Sequence, residues 1–282
     1  TLPDAAGVGD DAPRYEGVST VLGERNYTND LSVENMLHGA IRLVGDPRAK
    51  VVRIDTTAAL AMDGVRSVLT AKDLPAAKKI GHIFPDWHVF LDVGDVSPCV
   101  GAVVAAVAAD TRRQARAAAA AIVVELAPLP PVTNAMDALA PGAPEVHPGK
   151  PNLLTTSTAR RGDLDAQFAA SAFVLEETFQ TQRVEHAFLE PESCLVLPLP
   201  AGGVHVYTQG QGVHEDRRQI AETLGLPEEQ VLVELVSNGG AFGGKEDLSC
   251  QHHCALLTVA TGSPVKLALS REESMLTHPK RH

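Results

Sequence analysis

Residues 239–247 read GGAFGGKED, four glycines set around Phe242 just ahead of Lys245 and Glu246. Residues 231–236, VLVELV, precede this stretch and predict a strand. Residues 246–261 follow it and predict a largely apolar helix that Gly262 ends. A glycine turn between strand and helix exposes backbone N–H groups at a helix start, where the helix dipole also favours negative charge. Glycine tolerates positive φ and lets a ligand approach the main chain closely. The expected guest is an oxygen-rich anion. Residues 239–245 also fit GxxxxGK, the front of a nucleotide phosphate loop, but the next position would then carry a Ser or Thr hydroxyl for Mg²⁺. It carries Glu246, whose carboxylate repels a triphosphate, so the nucleotide-hydrolase reading is set aside. A purely structural tight turn is the competing reading of the glycines.

Working outward, residues 172–181, 194–197, 204–208 and 264–269 read as strands, and residues 216–224 as an amphipathic helix with Ile220, Ala221 and Leu224 on one side. Toward the N-terminus, residues 35–43, 50–56, 65–70 and 122–126 read as strands, and residues 57–62 as a short helix. Residues 100–109 form a nearly continuous Val/Ala run, the pattern of a strand buried on both faces. Asp110 or Thr111 is expected to cap a helix reaching Ala121. Between the two parts, residues 128–151 concentrate Pro, Ala and Gly and read as a linker. The fold class is α+β.

The chain has 282 residues, 44% hydrophobic and 21% charged, which is enough apolar material for a substantial core and suggests two domains. A net charge of -11 argues against broad nucleic-acid or anionic-membrane binding, which needs a basic face. No apolar run is long enough to cross a bilayer; the Ala-rich residues 116–126 come nearest. The opening acidic residues lack the basic flank and apolar centre of a signal peptide. Cys99, Cys194, Cys250 and Cys254 form no CxxC pair, so a disulfide scaffold is not expected and a reducing, cytoplasmic setting is. The same spacing offers no iron–sulfur ligand set.

Three segments occur in order: VEHAFLEPE (184–192), TQGQGVHEDRRQIAETLGLPEEQV (208–231) and GGAFGGKED (239–247). Together they resemble the large-subunit pattern of the molybdenum hydroxylases, the xanthine dehydrogenase/aldehyde oxidase family, and most of all its bacterial purine-hydroxylase-like members. PRYEGVSTVLGERNYTNDL (13–31) and VVRIDTTAALAMDGVRSVLTAKDLP (51–75) resemble the same family's α/β-hammerhead domain. The resemblance implies a hammerhead domain over 13–130, a linker over 131–151, and the first, incomplete part of the molybdenum-cofactor-binding domain over 152–282.

The resemblance further implies a molybdenum held by molybdopterin, in the cytosine dinucleotide form, that hydroxylates a carbon next to nitrogen or an aldehyde carbon with oxygen from water. Iron–sulfur clusters, and FAD, would lie on partner domains or subunits, together with the remainder of the molybdenum subunit. Gly240, Ala241, Phe242 and Gly243 would meet the cofactor, and Phe242 would also wall the substrate pocket; an ordinary core phenylalanine is the alternative. A glutamine ahead of the helix would hydrogen-bond the metal's apical oxo ligand. Gln209 and Gln211 are both candidates, and Gln211 keeps the family spacing without a gap. Glu246 matches a glutamate that orients purines, against the alternative of a first-turn helix carboxylate. Lys245 is expected in a structural ion pair.

His186, Glu190 and Glu192 hint at a metal site, yet Pro191 and its neighbours are unlike a zinc helix, so the segment reads as support beneath the cofactor. Cys250 and Cys254 share a helix face and His253 adjoins it, but no second ligand-bearing element is evident, so buried apolar cysteines are expected. Residues 76–98 depart from the usual family connection and are expected to reshape a domain contact. Family members continue well past residues 270–282, so no general base is assigned here, no direct metal ligand is named, and the chain by itself is expected to be inactive. An aldehyde oxidoreductase and a non-catalytic assembly module are the other readings.

Overall fold

The computed structural model describes residues 7–9 and 14–280. The opening acidic residues, part of the 13–31 motif and the last two residues therefore lie outside the described residues. The first part comprises α1 (Gly17–Val21), β1 (Leu37–Leu43), β2 (Ala49–Asp55), α2 (Thr57–Leu60), β3 (Val65–Thr70), β4 (Lys79–Ile80), β5 (Trp87–His88), β6 (Val96–Ser97), β7 (Val103–Ala109), α3 (Arg112–Ala121) and β8 (Val123–Pro128). After it come α4 (Ala135–Ala138), α5 (Leu164–Ala170), β9 (Ser193–Pro198), β10 (Val204–Thr208), α6 (Val213–Leu224), β11 (Val231–Leu235), α7 (Gln251–Thr261), β12 (Val265–Ala268) and α8 (Arg271–Thr277).

Every residue of β7 is buried, as its unbroken apolar run requires. Val103, Val104 and Val107 each contribute about 1.5–3 kcal/mol by leaving water. Thr111 caps α3 by accepting from the Gln114 N–H, and Ala115, Ala118 and Ala119 face the sheet, their small side chains letting the helix lie close. Seven strands form one sheet in the order β11-β10-β9-β12-β1-β7-β3. β12 pairs in parallel with β1, bringing Val265 opposite Leu37. The two parts expected from sequence thus share one sheet, and one core cluster unites Ile41 and Val103 with Val196, Ile220 and Leu257. A second sheet, β6-β2-β8, belongs to the first part alone. The fold is α+β, as the patterning indicated.

Residues 76–98 pair as the β4–β5 hairpin and dock on α6: the Ala77 N–H donates to the Glu222 carbonyl at 3.2 Å, and Arg218 donates to the Gly81 carbonyl at 3.1 Å. Two expectations fail. Residues 172–181 form no strand; their alternation has no partner among the described residues, and Phe173, Leu175 and Phe179 stand exposed. Apolar alternation predicts a half-buried strand only where a neighbour supplies the ladder. The second failure concerns the helix after the glycines. It begins at Gln251, not Glu246, and residues 241–250 are turns and bends. The dipole of α7 therefore does not act at Glu246, because that effect is confined to the first turn of a helix. Among the described residues no helix is long and apolar enough to cross a membrane.

Candidate functional site

The strand β10 and the helix α6 are joined by the short turn that carries Gln209 and Gln211, and the glycine stretch lies alongside it. The Gln211 N–H donates to the Lys245 carbonyl at 2.9 Å. Its side-chain Oε1 accepts from the backbone N–H groups of Gly243, at 3.1 Å, and Lys245, at 3.3 Å. With the oxygen held, the amide group is fixed in one orientation and Nε2 points its two protons away from the loop. Nε2 finds no acceptor among the described residues.

Gln209, the competing candidate, is buried and committed elsewhere. Its Nε2 donates to the Pro191 carbonyl at 2.7 Å and to Ser193 Oγ at 3.0 Å, while its Oε1 accepts from the Lys245 ammonium. Two glutamines, two residues apart, therefore have opposite environments: one underpins the loop and the other faces outward with it.

Phe242 takes a φ of 53° and is 62% exposed, so it is not a core phenylalanine. Gly240 and Gly243 flank it at φ 99° and 87°. These positive values need glycine, and a Cβ on Gly243 would project into open space. Ala241 is buried, anchoring the loop between two exposed turns. Glu246 is exposed on the same loop and belongs to no helix, so the first-turn reading of its carboxylate does not hold. The loop's own N–H groups are largely occupied: Gly239 donates to Glu190, Gly243 and Lys245 to Gln211, and Gly244 to the Ala241 carbonyl. The expected row of helix-start donors is replaced by one oriented side-chain amide beside a backbone without Cβ atoms.

Lys245 is 2% exposed and lies 3.7 Å from Glu190 Oε2, within a structural ion pair as its neighbours suggested. Its ammonium also sits 4.5 Å over the Phe188 ring. Burial lowers the Lys245 pKa, and Glu190 and Glu192 oppose that shift. Burial raises the Glu190 pKa against the Gly239 N–H and Lys245. Sequence reasoning missed Asp216. It lies in α6, fully buried, with neither oxygen hydrogen-bonded among the described residues. Burial first, then Asp247 and Glu215, raises its pKa to about 7. The helical period could have found it, since 216 shares a face with Gln219 and Ile220. Cys194, Cys250 and Cys254 are buried free thiols, consistent with apolar packing. Burial raises the Cys194 pKa, and the hydrogen bond with Cys194, followed by burial, raises that of Cys250.

Known proteins resemble this chain in sequence and fold. The profile of the molybdopterin cofactor-binding domain matches residues 146–282, and that of the aldehyde oxidase and xanthine dehydrogenase a/b hammerhead domain matches residues 22–130. The chain is 36% identical to a probable xanthine dehydrogenase subunit of Bacillus subtilis (strain 168), over 95% of this chain and 36% of that protein. It is 34% identical to the nicotinate dehydrogenase large molybdopterin subunit of Eubacterium barkeri, over 98% of this chain and 64% of that one. Among solved structures, the aldehyde oxidoreductase from Desulfovibrio gigas superposes with a TM-score of 0.87 at 30% identity, covering 95% of this chain and 31% of that one. The chain thus spans between about a third and two thirds of the length of these proteins. With a hammerhead domain followed by molybdopterin-binding sequence, and a fold that superposes on an aldehyde oxidoreductase along nearly its whole length, the chain belongs to the xanthine dehydrogenase/aldehyde oxidase family of molybdenum hydroxylases.

Proposed function

We propose that this chain is part of a molybdenum-dependent oxidoreductase that hydroxylates purines or related N-heterocycles, with water as the oxygen source. The observation that carries the reading is the juxtaposition of Gln211, on the turn after β10, with the loop after β11 that carries Phe242 and Glu246, Gln211 Oε1 being tied to the Gly243 and Lys245 N–H groups. These residues fit a molybdopterin-bound metal: an oriented neutral amide donor and a glycine backbone without Cβ atoms suit oxygen ligands. Gly240, Ala241, Phe242 and Gly243 would hold the cofactor. When bound, it would supply the two-electron oxidation of a carbon beside nitrogen.

The chain's own residues would do the rest. Gln211 would donate an N–H to an oxygen of the cofactor without adding charge. Phe242 would offer its ring to a planar heterocycle and exclude water from one side. Glu246 would accept from, or donate to, a ring nitrogen and so set the substrate's orientation. The cofactor is proposed in its cytosine dinucleotide form, in a cytoplasmic complex with the remainder of the molybdenum subunit and with iron–sulfur and FAD partners. The chain alone is expected neither to retain molybdopterin nor to turn over substrate.

An aldehyde oxidoreductase is the second reading, favoured by the superposition on the Desulfovibrio gigas enzyme. Glu246→Val in the complete enzyme separates the two. The purine reading expects kcat/KM for hypoxanthine to fall by about 10²-fold or more, because a site built around a polar contact loses it. Unchanged purine turnover, with aldehydes as the better substrates, would reject that reading.

A further inference from the structure

Beneath the glycine loop, two chain segments separated by 93 residues meet. One is the stretch before β9 that carries Glu185, His186, Glu190 and Glu192. The other follows α8 and carries His278 and Lys280. His278 is buried, with Nε2 2.8 Å from Glu185 Oε1 and Nδ1 3.1 Å from Glu192 Oε1. The His186 ring stands edge-on to it at 5.3 Å between centroids. Ligand-type atoms of Glu185, His186 and His278 all lie within 4.8 Å of one another.

The charges do not balance with these groups alone. Glu185 has Lys280 Nζ 2.6 Å from its second oxygen, and Lys245 is shared between Glu190, at 3.7 Å, and the more distant Glu192. Glu192 is 2% exposed, and neither of its oxygens has a hydrogen-bond partner among the described residues. Its nearest polar contact is His278, whose opposite nitrogen already faces Glu185. A neutral imidazole carries a single N–H and cannot donate to both carboxylates. A buried carboxylate without a donor is costly unless a cation compensates it. Sequence alone discounts His186, Glu190 and Glu192 as metal ligands because Pro191 and its neighbours are unlike a zinc helix; the tertiary fold brings His278 against Glu185 and His186.

We propose that Glu185, His186 and His278 bind a divalent cation of the zinc type, with Glu192, on the far nitrogen of His278, offsetting its charge from outside the ligand shell. Two imidazoles and a carboxylate match zinc, whose ligands lie about 2.0–2.2 Å from the metal, better than the all-oxygen shells of Ca²⁺ and Mg²⁺. Such a cation would brace the loop from below. A Cβ on Gly244 would come within 2.9 Å of His186 Cγ and Phe188 Cε1, so the loop rests directly on this cluster.

The test is metal binding by the complete, tag-free molybdenum subunit in its native complex, after chelator treatment. Zn²⁺ is titrated calorimetrically and Co²⁺ by its visible absorption. The expected result is one tightly bound Zn²⁺ and a tetrahedral Co²⁺ spectrum. Both should be lost in Glu185→Gln and His278→Ala, with affinity falling by more than the roughly 10–100-fold typical of losing an outer partner of a metal. Glu185→Gln preserves shape, so it guards against a folding failure in His278→Ala. Wild-type protein that takes up no Zn²⁺, or a folded Glu185→Gln variant that binds it as tightly as wild type, overturns the proposal.

Discussion

The amide oxygen of Gln211 lies 3.1 Å from the Gly243 nitrogen, fastening the turn after β10 to the loop after β11. That single contact gives Gln211 two separable jobs. The oxygen holds the loop, and the nitrogen offers donors outward.

Substitutions can separate those jobs. Gln211→Glu retains an acceptor for the Gly243 and Lys245 N–H groups but removes the outward NH₂. Gln211→Ala removes both. In the complete enzyme both variants should lose about 10²–10³-fold in kcat, the scale of one oriented donor. Only the alanine variant should also lose about 1 kcal/mol of stability. Steady-state kinetics paired with urea melts checks this; a glutamate variant with wild-type turnover removes Gln211 from the reaction.

Lys245→Met leaves the partly buried Glu190 and the buried Gln209 without their cation. Removing one partner of a buried ion pair typically costs about 3–5 kcal/mol. Adding Glu190→Gln should recover part of that loss, since the orphaned charge disappears. Denaturant midpoints of the single and double variants give the coupling directly, and strictly additive losses would show that the pair does not interact.

Asp216 makes stability depend on pH. Its ordinary value is 3.8 and its folded value about 7, so the folded chain holds the proton more tightly than the unfolded one. Stability is then full below about pH 4, and it declines as pH rises toward 7, where the unfolded chain alone has released its proton. The whole effect is on the order of 4 kcal/mol at most. Asp216→Asn should abolish that slope and be the more stable form at pH 7.5. Melts of both proteins at pH 4.5 and 7.5 decide it; parallel pH profiles would contradict the assignment.

Gly244→Ala places a methyl 2.9 Å from His186 and Phe188. Overpacking of this kind usually costs about 1–3 kcal/mol. The strain should appear as displacement of the loop, and therefore as weaker cofactor retention as well as a lower melting midpoint. Molybdenum content per subunit, measured beside the melt, tests both. A variant with full metal content and unchanged stability would show that the loop does not rest on this cluster.

Local patterning already contained much of this protein. The unbroken Val/Ala run became β7, the Thr111 cap and alanine face became α3, and Gly225 and Gly262 closed α6 and α7 at φ 66° and 62°. Each depends on period, capping or backbone freedom, which neighbours in sequence supply. Residues 172–181 misled for the converse reason, because a strand is made by its partner and not by its own alternation. The start of α7 misled as well: apolar residues near Leu248 resembled a helix, while hydrogen bonds from Ser249 and Cys250 to Gln251 Oε1 hold the chain in turns until Gln251.

At the site, the motifs that carry the family resemblance named Gln211, Phe242 and Glu246 as candidates, since motifs are written in one dimension. They could not show that Gln209 is buried while Gln211 faces out, that neither Asp216 oxygen is hydrogen-bonded among the described residues, or that His278 lies between Glu185 and Glu192. Those are facts of burial and of contacts across 93 residues. Only the seven-stranded sheet, with β12 set in parallel against β1, brings the segments that make them into the same volume.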